Sequence, residues 1–176
     1  MSLPDSAPQG ELKSESILKQ VKQRERSNGI VEVDEERVKM VIFRVGGRRY
    51  AFYGRDIREV LTPREIAWTP GLPEYLPGLI NVRGDVESVI DIRFFLGEEG
   101  GECARCYIVM AVCEGFRSGV LVEEVEDVVD IPQGAIKPAL ATLPDAVREL
   151  VAGEFEDHEG LVVLLDLPRL AAKVVV

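Results

Sequence analysis

An internal repeat is the feature that most restricts how this 176-residue chain can fold. Two segments, Gly78-Leu79-Ile80 and Val89-Ile90-Asp91-Ile92, return 75 positions later as Gly153-Glu154-Phe155 and Leu164-Leu165-Asp166-Leu167. A weaker pair, Asp56–Val60 and Glu124–Val128, is separated by 68 positions. Segments that recur in the same order indicate two copies of one small structural unit. Each copy has roughly 60 residues, close to the lower limit for independent stability, so we expect the copies to share apolar surface.

Within each copy, short apolar runs alternate with turn signals. Met40–Val45 and Arg49–Tyr53 are predicted to form a hairpin across Gly46-Gly47. Further strands are predicted at Leu79–Val82, Val86–Asp91, Cys106–Cys113, Arg117–Val122, Val151–Phe155 and Leu161–Leu165, and short helices at Arg55–Leu61, Ile92–Leu96 and Leu167–Lys173. Many short strands between turns favour small β-barrels over a parallel α/β sheet. The predicted fold class is therefore all-β with short helices.

The region before the repeat has a different composition. Glu11–Arg26 spaces a few apolar residues among charged ones without Gly or Pro, which predicts a short amphipathic helix. We therefore expect a polar tail and helix over residues 1–37 and a folded domain over residues 38–176. Within that domain, the repeat suggests a first barrel at about 38–97 and a second at about 103–173.

Charge is distributed unevenly along the chain. The 21 Lys and Arg and 31 Asp and Glu residues give a net charge of −10, and residues 97–176 alone hold 6 basic and 16 acidic side chains. This balance argues against nucleic acid as a partner, because phosphate binding needs a basic surface. The acidic second half fits either a solvated face or a docking face for a basic partner.

We expect a cytoplasmic protein that does not insert into membranes. No apolar run approaches the roughly 18 residues that cross a bilayer, and Met1–Gly10 lacks the apolar region of a secretion signal. The three cysteines cannot all pair within one chain, which suits a reducing compartment.

The cysteines raise an alternative hypothesis, a small Cys/His zinc or redox-sensing β-barrel protein. Cys103 and Cys106 form a CxxC motif, and Cys113 and the lone His158 complete a possible set of four ligands. However, Cys106 and Cys113 have opposite parity on one strand and would point to opposite faces. A thioredoxin-like CxxC motif also lies at a strand-to-helix turn, whereas this one leads into a strand. The expectation is apolar thiols, with neither metal nor cofactor.

No residue is assigned a catalytic role. Asp91 and Asp166 occupy equivalent repeat positions and could be read as a hydrolytic carboxylate pair, but their place before the predicted terminal helices fits N-caps. His158 has no nucleophile to serve, because no Ser or Cys lies in an elbow-like Gly context. Trp68, ahead of Thr69-Pro70, is expected to pack under a loop.

Three stretches, in the same order and spacing, resemble the CheW family of chemotaxis coupling proteins. They are Leu76–Val86 with Val89–Arg93, then Phe43–Gly46 with Tyr50-Ala51 and Ile57–Val60, and Gly119–Val125 with Ile131-Pro132 and Ala135–Pro138. The resemblance covers residues 38 to about 173. The same module occurs in the regulatory domain of the CheA kinase and in CheV, but this chain has no room for a kinase or receiver domain. The stand-alone coupling form is therefore implied.

The resemblance implies two SH3-like five-stranded β-barrels sharing a central apolar seam, and no catalysis. Its implied partners are the cytoplasmic tip of a chemoreceptor and the regulatory domain of a CheA-type histidine kinase, met at membrane-associated receptor arrays. The implied site residues are Ile57, Glu59 and Arg83 for the receptor and Ile136, Lys137 and Pro138 for the kinase. Arg83 could instead brace its own turn through backbone carbonyls. A type IV pilus or developmental signalling system would use the same module.

Overall fold

The structure, a computed structural model, describes residues 19–20, 35–100 and 103–174. The predicted helix over Glu11–Arg26 lies outside these residues, apart from Lys19 and Gln20, and stays a prediction.

The described residues from Arg37 onward belong to one compact unit. Its elements are β1 (Arg37–Val45), β2 (Arg48–Tyr53), a 3-10 turn (Gly54–Asp56), β3 (Ile57–Leu61), β4 (Ala67–Trp68), β5 (Gly78–Val82), β6 (Asp85–Asp91), α1 (Arg93–Leu96), β7 (Tyr107–Cys113), β8 (Phe116–Val122), β9 (Glu124–Pro132), a second 3-10 turn (Gln133–Ala135), α2 (Asp145–Arg148), β10 (Val151–Asp157), β11 (Gly160–Leu165) and α3 (Leu167–Val174).

The described strands form two sheets with the same internal order. Sheet A runs β9-β1-β2-β11-β10, and sheet B runs β3-β7-β8-β6-β5, with the two-residue β4 added at the β5 edge. Each sheet therefore consists of one strand followed by two antiparallel hairpins. The two hairpins are joined by a parallel pair, β2 with β11 in sheet A and β8 with β6 in sheet B. The repeat in the sequence is thus a repeat of strand order.

Each sheet takes its central hairpin from the other half of the sequence. The β1–β2 hairpin lies between β9 and β11, and the β7–β8 hairpin lies between β3 and β6. The predicted barrels over residues 38–97 and 103–173 are corrected accordingly, since both sheets draw on both segments. The pairing of β1 with β9 runs from Arg37 opposite Pro132 to Arg44 opposite Glu124. Through this long pairing, β9 provides hydrogen-bond partners for the backbone groups of β1 that do not pair with β2.

Both sheets curl. In sheet B, Leu61 at the β3 edge shares an apolar cluster with Ile80 and Val82 on β5, at the far side of the sheet. In sheet A, Ile131 of β9 shares a cluster with Phe155 of β10. Side chains at opposite edges can meet only if the sheet bends round on itself, as in a small barrel. The predicted class, mostly β with short helices and two small barrel-like sheets, is confirmed.

A third and larger apolar cluster lies between the two sheets. Phe43 and Phe52 of sheet A, with ring centroids 5.0 Å apart, are fully buried in it. Ile90 and Val120 of sheet B are fully buried in the same cluster, and α1, α2 and α3 each add side chains to it. The two sheets therefore share one apolar seam, which gives each small unit the core it could not build alone.

The helix predicted over Arg55–Leu61 is wrong. Gly54–Asp56 forms a single 3-10 turn, and the following five residues form β3, which pairs with β7. Ile57 and Val60 are β-branched and suit a pleated strand, and seven residues of helical spacing are too few to outweigh pairing with a neighbouring strand. Its counterpart in the repeat, Glu124–Val128, is also extended and belongs to β9. The two segments therefore share one conformation, as the repeat indicates, but that conformation is a strand and not a helix.

Candidate functional site

Two of the three residues predicted to face a receptor are in contact. In the β5–β6 turn, Arg83 donates from Nη2 to Oε2 of Glu59 on β3 at 3.0 Å, and from Nη1 to Oε1 at 3.4 Å. The Arg83 side chain is 79% exposed and that of Glu59 is 21% exposed. The pair connects the edge strand β3 with the turn between β5 and β6, so residues 24 positions apart form one charged rim.

The turn that presents Arg83 is held by its backbone and by Asn81. Arg83 and Gly84 have φ angles of +52° and +92°, as a two-residue type I′ hairpin requires. Oδ1 of Asn81 accepts a hydrogen bond from the N–H of Gly84 at 2.9 Å. Asn81 therefore braces the turn, while the Arg83 guanidinium reaches outward to Glu59.

Ile57 lies at the start of β3, and a register shift separates it from Glu59. It is half-buried and packs against the seam cluster. Two apolar residues near the charged rim are more exposed: Val60, next to Glu59, is 40% exposed, and Val86, opposite Asn81, is 67% exposed. Exposed apolar groups therefore lie within a few residues of the charged rim.

The three residues predicted to face a kinase form one extended segment after the second 3-10 turn. Lys137 and Glu154 exchange two backbone hydrogen bonds of 2.8 Å, which makes Lys137 a single added rung on β10. Ile136 is half-buried and packs against the cluster inside sheet A. Lys137 and Pro138 are exposed. A fixed backbone therefore presents a charged and a rigid side chain to solvent.

Sequence reasoning missed the residues that hold this segment. A Cβ on Gly153 would lie 2.7 Å from the carbonyl oxygen of Lys137, so a glycine is needed for the close approach. The buried Glu154 carboxylate accepts a hydrogen bond from the N–H of Leu140, whose side chain is 49% exposed. The repeat carried a signal, because it matches Gly153 with Gly78, where β4 approaches β5 in the same way.

Trp68 does not pack under a loop as predicted, because its side chain is 75% exposed. It lines a groove of about 1100 Å³ together with Phe94 and Cys103. The loop over residues 63–77 forms one wall, and α1 with the turn before β7 forms the other. β4 is an edge strand paired only through Ala67 and Trp68, which leaves the indole on the open side.

The cysteines separate into two sets. Cys103 and Cys106 form a disulfide, so the expectation of apolar thiols is wrong for these two and holds for Cys113. Cys106 belongs to the cluster inside sheet B and Cys113 packs against the seam cluster, so they face opposite sides of the sheet, as their parity predicts. Burial, followed by the nearby carboxylates, raises the pKa of the Cys113 thiol.

The described residues offer no geometry for the zinc alternative. His158 lies in the β10–β11 turn, where its side chain is 77% exposed and its Nε2 is 3.7 Å from Oε1 of Glu159. Within the described ranges, no three His, Cys, Asp or Glu side chains come together in a group that could hold a metal ion.

The two repeated aspartates serve helix starts. Oδ1 of Asp166 accepts a hydrogen bond from the N–H of Arg169 at 3.0 Å, which confirms it as the N-cap of α3. The N-cap predicted at Asp91 is wrong, because Ile92 holds that position before α1 and Asp91 lies one residue earlier. The Asp91 carboxylate accepts a hydrogen bond from the N–H of Arg93 at 3.1 Å and pairs with the Arg93 guanidinium at 2.8 Å. Both carboxylates therefore have local structural partners.

Among the helices of the described ranges, none combines the length and apolarity needed to cross a bilayer.

Comparison with known proteins identifies the family. The CheW-like domain model matches residues 39–175. The probable chemotaxis protein CheW of Rhizobium etli is 27% identical over 137 residues, which cover 74% of this chain and 85% of that protein. The chemotaxis protein CheW of Helicobacter pylori is 28% identical over 156 residues, 86% of this chain and 93% of that protein.

Two further similarities extend the comparison. Protein PilI of Pseudomonas aeruginosa is 28% identical over 119 residues, which cover 66% of each chain. The crystal structure of scaffolding protein TtCheW from Thermoanaerobacter tengcongensis matches with a TM-score of 0.65 at 25% identity, covering 74% of this chain and 90% of that one. Because the family match spans nearly all of the folded unit, this chain belongs to the CheW-like domain family.

Proposed function

We propose that this chain is a non-enzymatic scaffold that couples the cytoplasmic tip of a chemoreceptor to the regulatory domain of a CheA-type histidine kinase. It would act in the cytoplasm, at membrane-associated receptor arrays. The observation that carries the proposal is the position of the two residue sets on different sheets that share one buried seam. One partner can bind sheet B and another sheet A without competing for the same residues.

The receptor side is supported by the composition of the patch on sheet B. A receptor tip is a helical hairpin, and a helix binds best to a surface with apolar contacts and a charged rim. Val60 and Val86 are exposed apolar residues, and the pair of Glu59 with Arg83 is the rim. Both side chains are accessible enough to separate from each other and form ion pairs with a partner's charged groups instead.

The kinase side is supported by the exposed segment on sheet A. The backbone of Lys137 is fixed by its pairing with Glu154, and Pro138 has no freedom in φ. Little conformational entropy is therefore lost when a partner binds this segment. Leu140, further along the loop, adds an exposed apolar contact.

Two charge reversals test the proposal. Glu59→Arg should weaken binding of a receptor-tip fragment, and Lys137→Glu should weaken binding of the kinase regulatory domain, each measured by calorimetry. Each variant should retain its affinity for the other partner. Thermal unfolding should change little, because an exposed ion pair contributes about 0–1 kcal/mol.

Glu156→Arg is a matched control, since Glu156 is an exposed carboxylate on β10 outside both sets. It should leave both affinities unchanged. If the wild-type protein binds neither partner, the proposed function is refuted. If Glu59→Arg lowers stability and receptor binding together, Glu59 is structural and the receptor patch lies elsewhere.

A further inference from the structure

The disulfide between Cys103 and Cys106 lies at the boundary between the groove and the protein interior. The bond closes a four-residue loop at the entrance to β7, and the N–H of Cys106 donates to the carbonyl of Cys103 at 3.3 Å. Cys103 is half-buried and lines the groove that also contains Trp68 and Phe94. Cys106 is 4% exposed and packs in the cluster inside sheet B. Cys103 is thus the more exposed residue of the pair and the one that borders the groove, although it also packs against the cluster inside sheet B.

We propose that Cys103 and Cys106 are a reversible thiol–disulfide exchange site that accepts a dithiol reductant from the groove. A thiolate of the reductant attacks Sγ of Cys103, the S–S bond breaks, and Cys106 leaves as a thiolate that takes up a proton. The second thiol of the reductant then displaces Cys103 from the mixed disulfide. The products are two protein thiols and one molecule of oxidised reductant, so two electrons and two protons are transferred.

Both redox states fit the surroundings of Cys106. Its neighbours in the cluster are apolar, among them Ile108, Met110 and Leu121. A neutral thiol behaves as a small apolar group, so the reduced side chain can stay where the oxidised one lies. Disulfides in reducing compartments are usually transient and redox-responsive, which is the behaviour expected if the chain is cytoplasmic.

Cys113 is unsuited to interfere with this exchange. It lies at the far end of β7 and packs against the seam cluster, on the opposite face of sheet B from Cys106. Its thiol is held largely in the protonated form, because burial raises its pKa. The exchange therefore concerns one pair of sulfurs.

Reduction should loosen one wall of the groove. Cys103 and Ala104 belong to that wall, and the disulfide ties them to the start of β7. From the chain entropy of a four-residue loop, removing the cross-link should shift the local opening equilibrium by about 20-fold. Trp68 is the only tryptophan of the chain and lines the same groove, so its emission reports on this change.

A redox titration of the full chain tests the proposal. The purified protein is equilibrated with graded ratios of reduced to oxidised dithiothreitol, unfolded in urea with excess iodoacetamide so that buried thiols also react, and weighed by intact mass spectrometry. We expect one label at the oxidising end and three at the reducing end. Trp68 emission and the amide exchange of peptides covering 103–107 should change with the same midpoint.

The controls separate the pair from the third cysteine. Cys103→Ser and Cys106→Ser should each abolish the transition, and Cys103→Ser tests the idea even if a hydroxyl at the buried position 106 prevents folding. Cys113→Ser should keep the transition, passing from no labels to two. Three labels at every ratio would overturn the proposal. A normal mass transition with unchanged Trp68 emission and unchanged amide exchange would overturn the link to the groove. These readouts need no partner, so failure of the coupling function would not affect them.

Discussion

A buried charge network around Arg49 provides the most quantitative test of the fold. From β2, Arg49 donates two hydrogen bonds to the Asp157 carboxylate, at 2.7 and 2.6 Å, and one from Nε to Glu126 on β9 at 2.8 Å. The side chains of Arg49, Asp157 and Glu126 are only 9%, 12% and 11% exposed. Because β9 and β10 are the two edges of sheet A, this one guanidinium connects both edges to the middle of the sheet.

The network sets the charge state of its members. The hydrogen bonds from Arg49 lower the pKa of Asp157 from its ordinary value of 3.8 to about 2. Burial would raise the pKa of Glu126, but hydrogen bonds from Arg49 and Arg44 outweigh it and lower that pKa. The difference in pKa for Asp157 between the folded and unfolded chain corresponds to about 2 kcal/mol of stability at neutral pH.

The sign of the pH dependence follows from the direction of this change. Because the pKa of Asp157 is lower in the folded chain, its stabilisation is complete above pH 5 and is lost as the pH falls through 3.8 towards 2. Asp157→Asn should therefore lower the free energy of unfolding by about 2 kcal/mol at pH 7, and by about half as much at pH 3.

Urea denaturation followed by circular dichroism measures both values. The matched control is Glu159→Gln, since Glu159 lies 3.6 Å from Arg49 but is 52% exposed, and should change stability by less than about 0.5 kcal/mol. An equal loss in both variants would refute the reasoning, as would a deficit for Asp157→Asn that stays constant between pH 7 and pH 3.

Three further predictions follow from single contacts. Gly153→Ala should lower the free energy of unfolding by about 1–3 kcal/mol, because its Cβ would press on the Lys137 carbonyl, and should weaken kinase binding if the segment is displaced; urea denaturation and calorimetry measure the two effects. Asp166→Ala removes the cap from the N–H of Arg169 and should cost about 1 kcal/mol in urea denaturation, with an unchanged midpoint contradicting the capping role. Phe43→Ala, in the seam, should cost about 3–5 kcal/mol and lower the thermal midpoint in calorimetry; a loss below 1 kcal/mol would mean that the two sheets do not depend on this contact.

Much of the local structure could be predicted because it is encoded by neighbouring residues. The Gly46-Gly47 pair predicted the β1–β2 turn, and both glycines have positive φ. Asp166 predicted the start of α3, and the parity of Cys106 and Cys113 predicted their opposite faces. Each of these features depends on a few consecutive residues and on the fixed geometry of one turn or one strand.

The exchange of hairpins could not be predicted, because strand pairing is a long-range property. The continuous apolar run Met40–Phe43 in β1 indicates that both its faces are buried, but says nothing about which strand lies beside it. The partner, β9, begins about 80 residues later, at Glu124. The same limit applies to Arg55–Leu61, whose conformation is decided by pairing with β7 and not by its own spacing.

The residues of the candidate site show the same difference between local features, which could be predicted, and long-range contacts, which could not. The resemblance singled out Glu59 and Arg83 as separate positions, and their ion pair depends on the curl of sheet B. Gly153 and Glu154 escaped notice because the first contributes only the absence of a side chain and the second is a buried carboxylate in a strand. The repeat aligns Gly153 with Gly78, which marks the position but does not show which carbonyl approaches it.

The exchanged hairpins also bear on how a small scaffold could hold two partners at a fixed spacing. If each half of the chain formed its own barrel, the two barrels could rotate about a single connection. Instead, the β1–β2 hairpin is bonded on one side to β9 and on the other to β11, and the β7–β8 hairpin is bonded to β3 and β6. Rotating one sheet against the other would open the seam and strain the two places where the chain crosses between the sheets, from β2 to β3 and from β8 to β9. Neither half of the chain could build one of these sheets alone, since the strands that flank each central hairpin come from the other half. The proposed receptor patch on sheet B and the proposed kinase segment on sheet A are therefore held at a set distance by the shared apolar packing and by the two chain crossings, as a rigid coupling element requires.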